Sequence, residues 1–418
     1  MRTPLCMPDI GAREIELVTS VLKSGQLSLG PRLAEFERKF AAYAGARYAV
    51  AVNSGTSGLH LGVKALGLGV GDEVLTTSFS FVASANCVLY ERAVPVFVDI
   101  DPVTLNIDPA AISATIARDY AWDGKRLTNR TSGRVLKAIL PVHVFGLPCD
   151  MAAIVEVAGA FNLRVIEDAC EALGATCLGQ PVGTFGDAGV FAFYPNKQMT
   201  TAEGGMIVTD DARIAGICRS LRNQGRDDSA GWLRHTQLGY NYRLSDLHCA
   251  LGIAQLARIG ELLSARERIA AEYNRGLTGI PNIVLPDAIP GRKRSWFVYV
   301  IRLLGPTASR LRQQLITGLQ QRGIASQTYF PAIHRQPYFR DLALGPRRSL
   351  PQTESASQSC LALPFFPSMT SDQVDEICGA VREILERTAK PHRRARVGRS
   401  LLTAVSSAKE SEQAIGVR

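Results

Sequence analysis

The sequence lacks the cysteine pattern of a disulfide framework or of a zinc site. Its nine cysteines are scattered singly along the chain, and no Cys-x-x-Cys pair occurs among them. Disulfide-rich domains carry even sets of cysteines, and zinc modules carry closely spaced pairs. The pattern therefore predicts reduced thiols that are mostly buried, and it offers no metal site.

The sequence also lacks long hydrophobic runs. The longest, such as residues 48–52, have the length of a strand and fall far short of the roughly 20 apolar residues that span a membrane. Residues 1–16 contain acidic residues and a glycine too early for the apolar segment of a secretory signal. We therefore expect a cytoplasmic protein with no membrane insertion.

Positive charge is abundant, but it is concentrated at one end of the chain. The formal net charge is +9, and more than half of this excess lies from Lys390 onward. Residues 389–418 are rich in Ser, Ala and Arg and have no sustained apolar periodicity, which predicts a basic, disordered tail. No helix-turn-helix or zinc-finger signature accompanies the charge, so nucleic acid is not an expected partner.

What the sequence does contain is a regular alternation of strand-like and helix-like segments between about residues 48 and 210. A helix is predicted over residues 57–68, and the strand-like runs are YAVAVN, DEVLTT, PVFVDI, KAILPVH, LRVIEDA and GMIVTDD. Alternation at this spacing predicts β-α-β units and a mainly parallel sheet. The carboxyl ends of such strands are where ligands normally bind.

The pattern changes near residue 244, where a long helix is predicted as far as Ala271. The strand-like SWFVYVIRL and the helical SRLRQQLITGLQQRG and DQVDEICGAVREIL follow, and they outline a smaller α+β unit. We expect a large α/β domain over residues 1–255, with a basic surface insertion at 118–137. A small C-terminal domain would cover residues 256–388, before the tail.

Two short motifs at predicted strand ends could bind a ligand. Gly55, Thr56 and Ser57 lie between a strand and a helix, where small residues and free N–H groups favour a phosphate. Ser and Thr at this place are also common as plain N-caps. Asp168 ends a hydrophobic strand, where it could pair with a ring cation or cap the helix predicted to begin near Glu171.

A third motif centres on Lys197, in FYPNKQMTTAEGG. Lysine is rarely buried without a partner or a function, although most lysines simply extend into water. A desolvated lysine amine can form a Schiff base with an aldehyde. The lysine therefore becomes a candidate nucleophile if it lies within the fold.

In this order, the phosphate turn, the strand-end aspartate and the later lysine resemble a fold-type I pyridoxal phosphate (PLP) enzyme. The local sequence around these motifs resembles still more closely the DegT/DnrJ/EryC1/StrS family of sugar aminotransferases. That resemblance covers roughly nine-tenths of the chain. It rests on blocks such as NSGTSGLHL, PVHVFGLPCDM, VIEDACEALGA, FYPNKQMTTAEGG, LGYNYRLSDLHCALG, YFPAIHRQPYF and LALPFFPSMTSDQVDEI.

The resemblance implies a role for each matched residue. Lys197 would bind the cofactor aldehyde covalently, Asp168 would keep the pyridine nitrogen protonated, and Phe81 would stack on the ring. The turn at residues 55–57 would bind the phosphate. Asn241 would reach the phosphate from a neighbouring subunit, which implies a homodimer with shared active sites.

Other matched positions carry weaker implications. Glu171 stands near the ring where many relatives have glutamine. Tyr329 and His334 match a substrate-facing stretch, although an aromatic loop that packs a small domain would explain them as well. Arg243 could pair with a carboxylate or a phosphate, or only brace the interface. His143 is expected to be structural.

Three positions depart from the family pattern. Alanine replaces a frequent serine at 192 and a usual glycine at 202, and Gly58 stands where alanine is frequent.

As a whole, the resemblance implies a PLP-dependent aminotransferase that passes through a pyridoxamine phosphate form. Glutamate is the expected amino donor, and a nucleotide-linked keto sugar is the expected acceptor, for polysaccharide or glycosylated-metabolite biosynthesis. A cyclitol aminotransferase or a PLP-dependent sugar dehydratase would share most motifs, and a non-catalytic regulatory relative is a further alternative. Histidine replaces the lysine in the family's dehydratases, so Lys197 favours transamination.

Overall fold

The computed structural model describes residues 2–226, 233–342 and 348–389 of the 418-residue chain. The helices are α1 Ala12–Ser24, α2 Pro31–Ala44, α3 Gly55–Ala65, α4 Ala83–Tyr90, α5 Pro109–Asp119, α6 Met151–Ala160, α7 Ala212–Arg222, α8 Asp246–Ala257, α9 Ile259–Leu277, α10 Ala308–Gln321, α11 Pro337–Asp341, α12 Pro351–Ser359 and α13 Ser371–Ala389. The strands are β1 Tyr48–Val52, β2 Asp72–Thr77, β3 Val94–Val98, β4 Tyr120–Trp122, β5 Leu127–Asn129, β6 Val135–Leu140, β7 Arg164–Asp168, β8 Thr176–Cys177, β9 Gln180–Pro181, β10 Ala188–Ala192, β11 Gly205–Thr209, β12 Ile283–Val284, β13 Arg292–Lys293, β14 Tyr299–Leu303 and β15 Cys360–Leu363.

The central sheet has the strand order β1-β11-β10-β7-β6-β2-β3. The strands from β10 to β3 pair in parallel with their neighbours, whereas β11 is antiparallel to both β1 and β10. The expected α/β class with a mainly parallel sheet is thus confirmed. Because the parallel strands share one direction, their carboxyl ends lie along the same edge of the sheet.

Both faces of this sheet are covered, which explains the nearly continuous apolar character of its strands. In β1, Val50 and Val52 pack into a core that also contains residues of α3 and α7. Ala49 and Ala51 alternate with them and pack on the opposite face, with residues of α2 and α8. Alternate residues of a strand point to opposite faces, so each face needs its own apolar partner.

The segment over residues 118–137 continues from α5 into the hairpin β4–β5, and its last three residues already belong to β6. Most of its residues between 121 and 134 are exposed or half-buried. Tyr120 and Leu127 are buried, and the Tyr120 hydroxyl donates a hydrogen bond of 2.6 Å to Glu73. The basic segment is therefore anchored on strand β2.

The single long helix expected over residues 244–271 is wrong, because two helices occupy this stretch. They meet at Arg258, whose backbone leaves the helical conformation. The Arg258 guanidinium donates to Glu14 at 2.7 Å and to Asp9 at 2.8 Å. The apolar pattern continues across the break, so periodicity alone gave no sign of it.

The C-terminal part forms a smaller α+β unit, as expected. A three-stranded sheet in the order β12-β14-β15 packs with α9, α10 and α13 around a core that includes Tyr273 and Tyr299. The predicted boundary between residues 255 and 256 stays a prediction. Helix α13 extends to Ala389, and the rest of the predicted basic tail lies outside the described residues.

Among the described residues, no helix is long and apolar enough to cross a bilayer. The same part of the chain contains no group of His, Cys, Asp and Glu suited to hold a metal ion. The cysteines are free, and all except Cys6 and Cys170 are buried.

Candidate active site

Three chain segments meet at the carboxyl edge of the central sheet: the ends of β7 and β10 and the start of α3. Val190 on β10 is in register with Asp168 on β7. A Cβ atom at Gly55 would lie 2.8 Å from the Ala192 Cβ and 2.9 Å from the Cys170 Sγ. Glycine at position 55 therefore lets the N-terminus of α3 approach both strand ends closely.

The Asp168 carboxylate is buried and only partly hydrogen-bonded. Its Oδ2 accepts a hydrogen bond of 2.7 Å from the Ser84 hydroxyl, and its Oδ1 accepts one of 3.1 Å from the Cys170 N–H. An ionised carboxylate has about four lone-pair sites, so this group can accept a further donor. It is suited to hold a protonated ring nitrogen.

The Lys197 amine lies inside the site. The residue is on a turn, where its N–H donates to the Tyr194 carbonyl at 2.9 Å. Its Nζ is 4.0 Å from the Glu171 Oε1 and 3.9 Å from the centroid of the Phe297 ring. The side chain is 13% exposed, so the amine is close to the other site residues rather than in bulk water.

Glu171 is a buried acid with an unusual protonation behaviour. Burial raises the pKa of its carboxyl group to about 7, while the nearby Lys197 amine and the Phe145 N–H oppose that shift. The Phe145 N–H donates to the Glu171 Oε2 at 2.8 Å. The predicted helix start at this acid is wrong, because residues 170–174 form turns.

The start of α3 shows how the predicted phosphate turn is built. Ser54 is the N-cap, and its hydroxyl accepts from the Ser57 N–H at 3.1 Å. The Ser57 hydroxyl in turn donates to the Asn53 Oδ1 at 2.6 Å. Because first-turn N–H groups have no intrahelical acceptor, those of Gly55 and Thr56 are the donors suited to an anion.

Phe81 lies beside this region with an exposed ring. The side chain is 60% exposed, which is high for a large apolar residue. The Phe81 carbonyl accepts from the Ser84 hydroxyl at 3.2 Å, and the same hydroxyl also contacts Asp168. Phe81 therefore lies two residues before α4, the helix whose Ser84 hydroxyl contacts Asp168.

Asn241 is exposed between two anchored tyrosines. The Tyr240 hydroxyl donates to Glu91 at 3.1 Å, and the Tyr242 hydroxyl lies 3.2 Å from the His60 Nδ1. These contacts fix the segment against α3 and the end of α4, while Asn241 itself is exposed. Arg243 is half-buried, and it donates to the Asn223 Oδ1 at 3.0 Å.

The two candidate substrate residues on the later loop have different surroundings. The Tyr329 ring lies parallel to Phe297, at 6.4 Å between centroids and 5° between planes. Burial, and then the charge of Glu171, raise the pKa of Tyr329. His334 instead lies 2.7 Å from the Ser78 hydroxyl and 3.3 Å from Glu354.

His143 has the structural surroundings expected for it. The Cys149 N–H donates to its Nδ1 at 3.0 Å, so the proton of the neutral ring is on Nε2. That Nε2 lies 3.1 Å from the Glu167 carboxylate. Both side chains are completely buried, and this pair braces β7 just before Asp168.

Sequence reasoning missed several residues of the site. Ser84 lies one helical turn after Phe81, and its hydroxyl could have been suspected as a partner of a nearby acid. Phe297 and Arg266 come from the C-terminal part of the chain, where Arg266 donates to the Lys197 carbonyl at 2.8 Å. No local signal marks either of these two residues.

Two departures from the family pattern have visible consequences. Ala202 has a φ of +66°, a left-handed conformation that favours the glycine usual at this position. At Gly58, a Cβ would lie 2.7 Å from the Val190 Cγ1, so the alanine frequent there would require a shift.

The residues present fit a PLP molecule. Any side chain at position 55 would fill the space beside Ala192 and Cys170. Asp168 can accept one more donor, and the Lys197 amine lies within the site. The Asn196 Oδ1 is buried without a hydrogen-bond partner in the described structure, which leaves an acceptor for a bound group. The phosphate, the ring nitrogen and the aldehyde of the cofactor therefore each have a matching residue.

Comparison with known proteins agrees with this geometry. Residues 8–382 match the DegT/DnrJ/EryC1/StrS aminotransferase family. GDP-perosamine synthase of Caulobacter vibrioides is 39% identical over 387 residues, which cover 92% of this chain and 98% of that protein. The Bacillus subtilis spore coat polysaccharide biosynthesis protein SpsC is 38% identical over 394 residues, which cover 92% and 97%.

Solved structures include a similar one of S. venezuelae DesV in complex with a ketimine intermediate. It is 34% identical, the match covers 92% of this chain and 99% of that one, and the TM-score is 0.82. The family match over most of the chain, together with relatives above 30% identity along nearly their whole length, leads to one conclusion. The chain belongs to the DegT/DnrJ/EryC1/StrS aminotransferase family.

Proposed function

We propose that this protein is a PLP-dependent aminotransferase that transfers an amino group from glutamate to a nucleotide-linked keto sugar. Family membership supports the reaction type. The names of the relatives, a GDP-perosamine synthase and a spore coat polysaccharide biosynthesis protein, support the acceptor class. The observation that carries the proposal is the Lys197 amine, held inside the site between Glu171 and the Phe297 ring.

Each side chain then has a definite task. PLP, when bound, supplies an aldehyde carbon and a ring that accepts electrons. Lys197 would hold the cofactor covalently at rest, and its amine, when free of that bond, would move protons. Asp168 would hold a proton on the ring nitrogen, and the N–H groups of Gly55 and Thr56 would bind the phosphate. The Phe81 ring would stack on the cofactor ring.

We further propose a homodimer in which each subunit completes the other's site, and a pyridoxamine phosphate form of the enzyme between the two half-reactions. The exposed Asn241 supports shared sites, because it lies on an anchored segment at a surface that a second subunit could contact. Exposed apolar residues on α1, among them Ile15 and Leu22, support an interface there. The cytoplasmic location stays a prediction.

The experiment is a panel of GDP-, TDP- and UDP-linked keto sugars, each incubated with glutamate and read by mass spectrometry. The expected result is one aminated sugar together with 2-oxoglutarate, and no product from the Lys197→Ala variant. Lys39→Ala is the matched control, because Lys39 is an exposed lysine that pairs with Glu35. Turnover of a cyclitol but of no sugar would contradict the acceptor class.

A separate measurement tests the cofactor. The purified protein is expected to be coloured, and borohydride is expected to bleach its visible band and to fix the cofactor on Lys197. A colourless protein that captures no PLP would instead indicate a non-catalytic relative. Dehydration of the sugar without amination would indicate a dehydratase, which the presence of Lys197 disfavours.

A further inference from the structure

Arg266 lies in the middle of α9 and reaches back to the Lys197 turn. Its Nη2 donates to the Lys197 carbonyl at 2.8 Å, and its Nη1 donates to the Phe297 carbonyl at 3.1 Å. These are the two residues that meet at the amine, since the Lys197 Nζ lies 3.9 Å from the Phe297 ring centroid. One guanidinium therefore fixes the backbone on both sides of that contact.

The charge on Arg266 is unusually placed for a purely structural group. The residue is 2% exposed, and no described carboxylate lies within ion-pair distance of it. Its Nε has no hydrogen-bond partner among the described residues, and its guanidinium carbon lies 5.6 Å from the Phe365 ring centroid. Burial lowers the pKa of Arg266 to about 10, and the Cys6 thiol is the titratable group that opposes this shift.

Burying a cation without a carboxylate is unfavourable, so the two hydrogen bonds of Arg266 offset a desolvation cost and add little net stability. Overall stability is thus a poor reason for an arginine at this position. Its hydrogen bonds are directed at the Lys197 and Phe297 carbonyls instead. Both acceptors belong to the site, so the benefit of Arg266 is expected there.

We propose that Arg266 is a positioning residue that holds the Lys197 amine against the Phe297 ring by fixing both backbones. This inference rests on the proposed covalent role of Lys197. An arginine of the C-terminal part thus sets the geometry of a lysine on the turn that follows β10. Without it, the turn would still form, but the amine would sample more positions.

The test compares cofactor capture by the full-length apoprotein in the wild type and in Arg266→Met, Arg266→Lys and Arg268→Met. Arg268 is the matched control, because it lies on the same helix but donates to Glu272 and to the Met369 carbonyl. PLP is added, the visible band is followed with time, and borohydride reduction with peptide mass spectrometry locates the bond. Thermal unfolding of each apoprotein is measured in parallel.

Arg266→Met is expected to slow bond formation at Lys197 by about 10- to 100-fold, because small misplacements of a reacting group have effects of this size. Arg266→Lys keeps the charge but has one nitrogen in place of the two that reach the Lys197 and Phe297 carbonyls, so an intermediate rate is expected. Arg268→Met should match the wild type. The melting temperature of the Arg266→Met apoprotein is expected to fall, because the Lys197 and Phe297 carbonyls lose their donors, so each capture rate is normalised to folded apoprotein. A lower rate per folded molecule is a result that a merely structural arginine would not give.

Capture by Arg266→Met at the wild-type rate would overturn the inference, as would a slower rate that only reflects a loss of folded protein. If Arg266→Met does not fold, the capture rate of Arg266→Lys is compared with that of Arg268→Lys. Equal rates for these two variants would overturn the inference about Arg266. A wild-type protein that forms no bond at Lys197 would overturn the proposed function itself. That outcome is distinct, since it appears before any variant is compared.

Discussion

Two neighbouring carboxylates on β7 have opposite surroundings. Glu167 and Asp168 are both buried, and their side chains point to different faces of the sheet. The Glu167 carboxylate accepts four hydrogen bonds, from the N–H groups of Gly183, Phe185 and Gly186 and from the ring of His143. Every lone-pair site of this acid is therefore occupied from within the chain.

Within the described part of the chain, the Asp168 carboxylate accepts two hydrogen bonds, from the Ser84 hydroxyl and the Cys170 N–H, although it is almost as deeply buried. Buried polar groups are usually satisfied, so remaining capacity in a buried acid suggests that something else binds there. The number of occupied lone pairs thus separates these two acids better than burial does. One carboxylate organises the fold, and the other remains available for a ligand.

The largest expected effect is on the available acid. Asp168→Asn should lower activity by about 10²- to 10⁴-fold, the range lost when a catalytic proton is misplaced, because an amide carries no charge to hold it. The measurement is the glutamate-dependent spectral change of the bound cofactor. Unfolding of the apoprotein in urea should be nearly unchanged. Activity within threefold of the wild type would break the distinction between the two acids.

The opposite pattern is expected for the saturated acid. Glu167→Gln removes a charged acceptor and directs an amide N–H₂ group toward other donors, so the free energy of unfolding should fall by about 3 kcal/mol. Activity per folded molecule should change little. Urea unfolding with activity normalised to folded protein checks both statements. A stable but inactive Glu167→Gln protein would reverse the assignment.

Glu171 is a third buried acid, and its protonation state is expected to change near neutral pH. Its pKa is raised in the folded protein, from 4.5 to about 7, so the native state binds a proton more tightly than the unfolded chain. Wild-type stability should therefore fall as the pH rises between about 4.5 and 7, by an amount on the order of 3 kcal/mol. Glu171→Gln lacks this titration.

The measurement is urea unfolding of the apoproteins from pH 5 to pH 8. The stability of Glu171→Gln relative to the wild type should increase through this range and then level off. Glu386→Gln, on an exposed part of α13, is the control and should show no such trend. A constant difference between Glu171→Gln and the wild type would show that Glu171 is ionised throughout.

The smallest expected effect concerns the space beside Gly55 rather than an acid. Gly55→Ala should weaken PLP binding by about tenfold and reduce stability by 1–3 kcal/mol, as added methyl groups do in tight places. Gly62→Ala on the same helix is the control, because its Cβ would lie an ordinary 3.6 Å from the Ile166 Cγ2. Equilibrium dialysis with PLP measures the binding. Equal binding by both variants would show that the space beside Gly55 does not contribute to PLP binding.

Much of the fold could be predicted because the strands are covered on both faces. Such strands are nearly continuous apolar runs, and they locate the acid at the end of β7 and the glycine at the start of α3. The break at Arg258 could not be predicted, since it depends on Asp9 and Glu14 at the other end of the chain.

The candidate site divides in the same way. Its lysine, aspartate and glycine lie in local motifs, whereas Phe297 and Arg266 reach Lys197 only through tertiary packing. Helical periodicity could not show that residues 170–174 would form turns, because small residues are common both in turns and at helix starts.

The reach of α9 across to the Lys197 turn limits how this chain can be divided. A fragment that stopped at residue 255 would keep the lysine and the aspartate, but it would lose Arg266, Phe297 and Tyr329 together. No trimmed N-terminal half can therefore serve as a minimal catalyst. Hybrids that exchange C-terminal halves between relatives would need to inherit all three residues as one set.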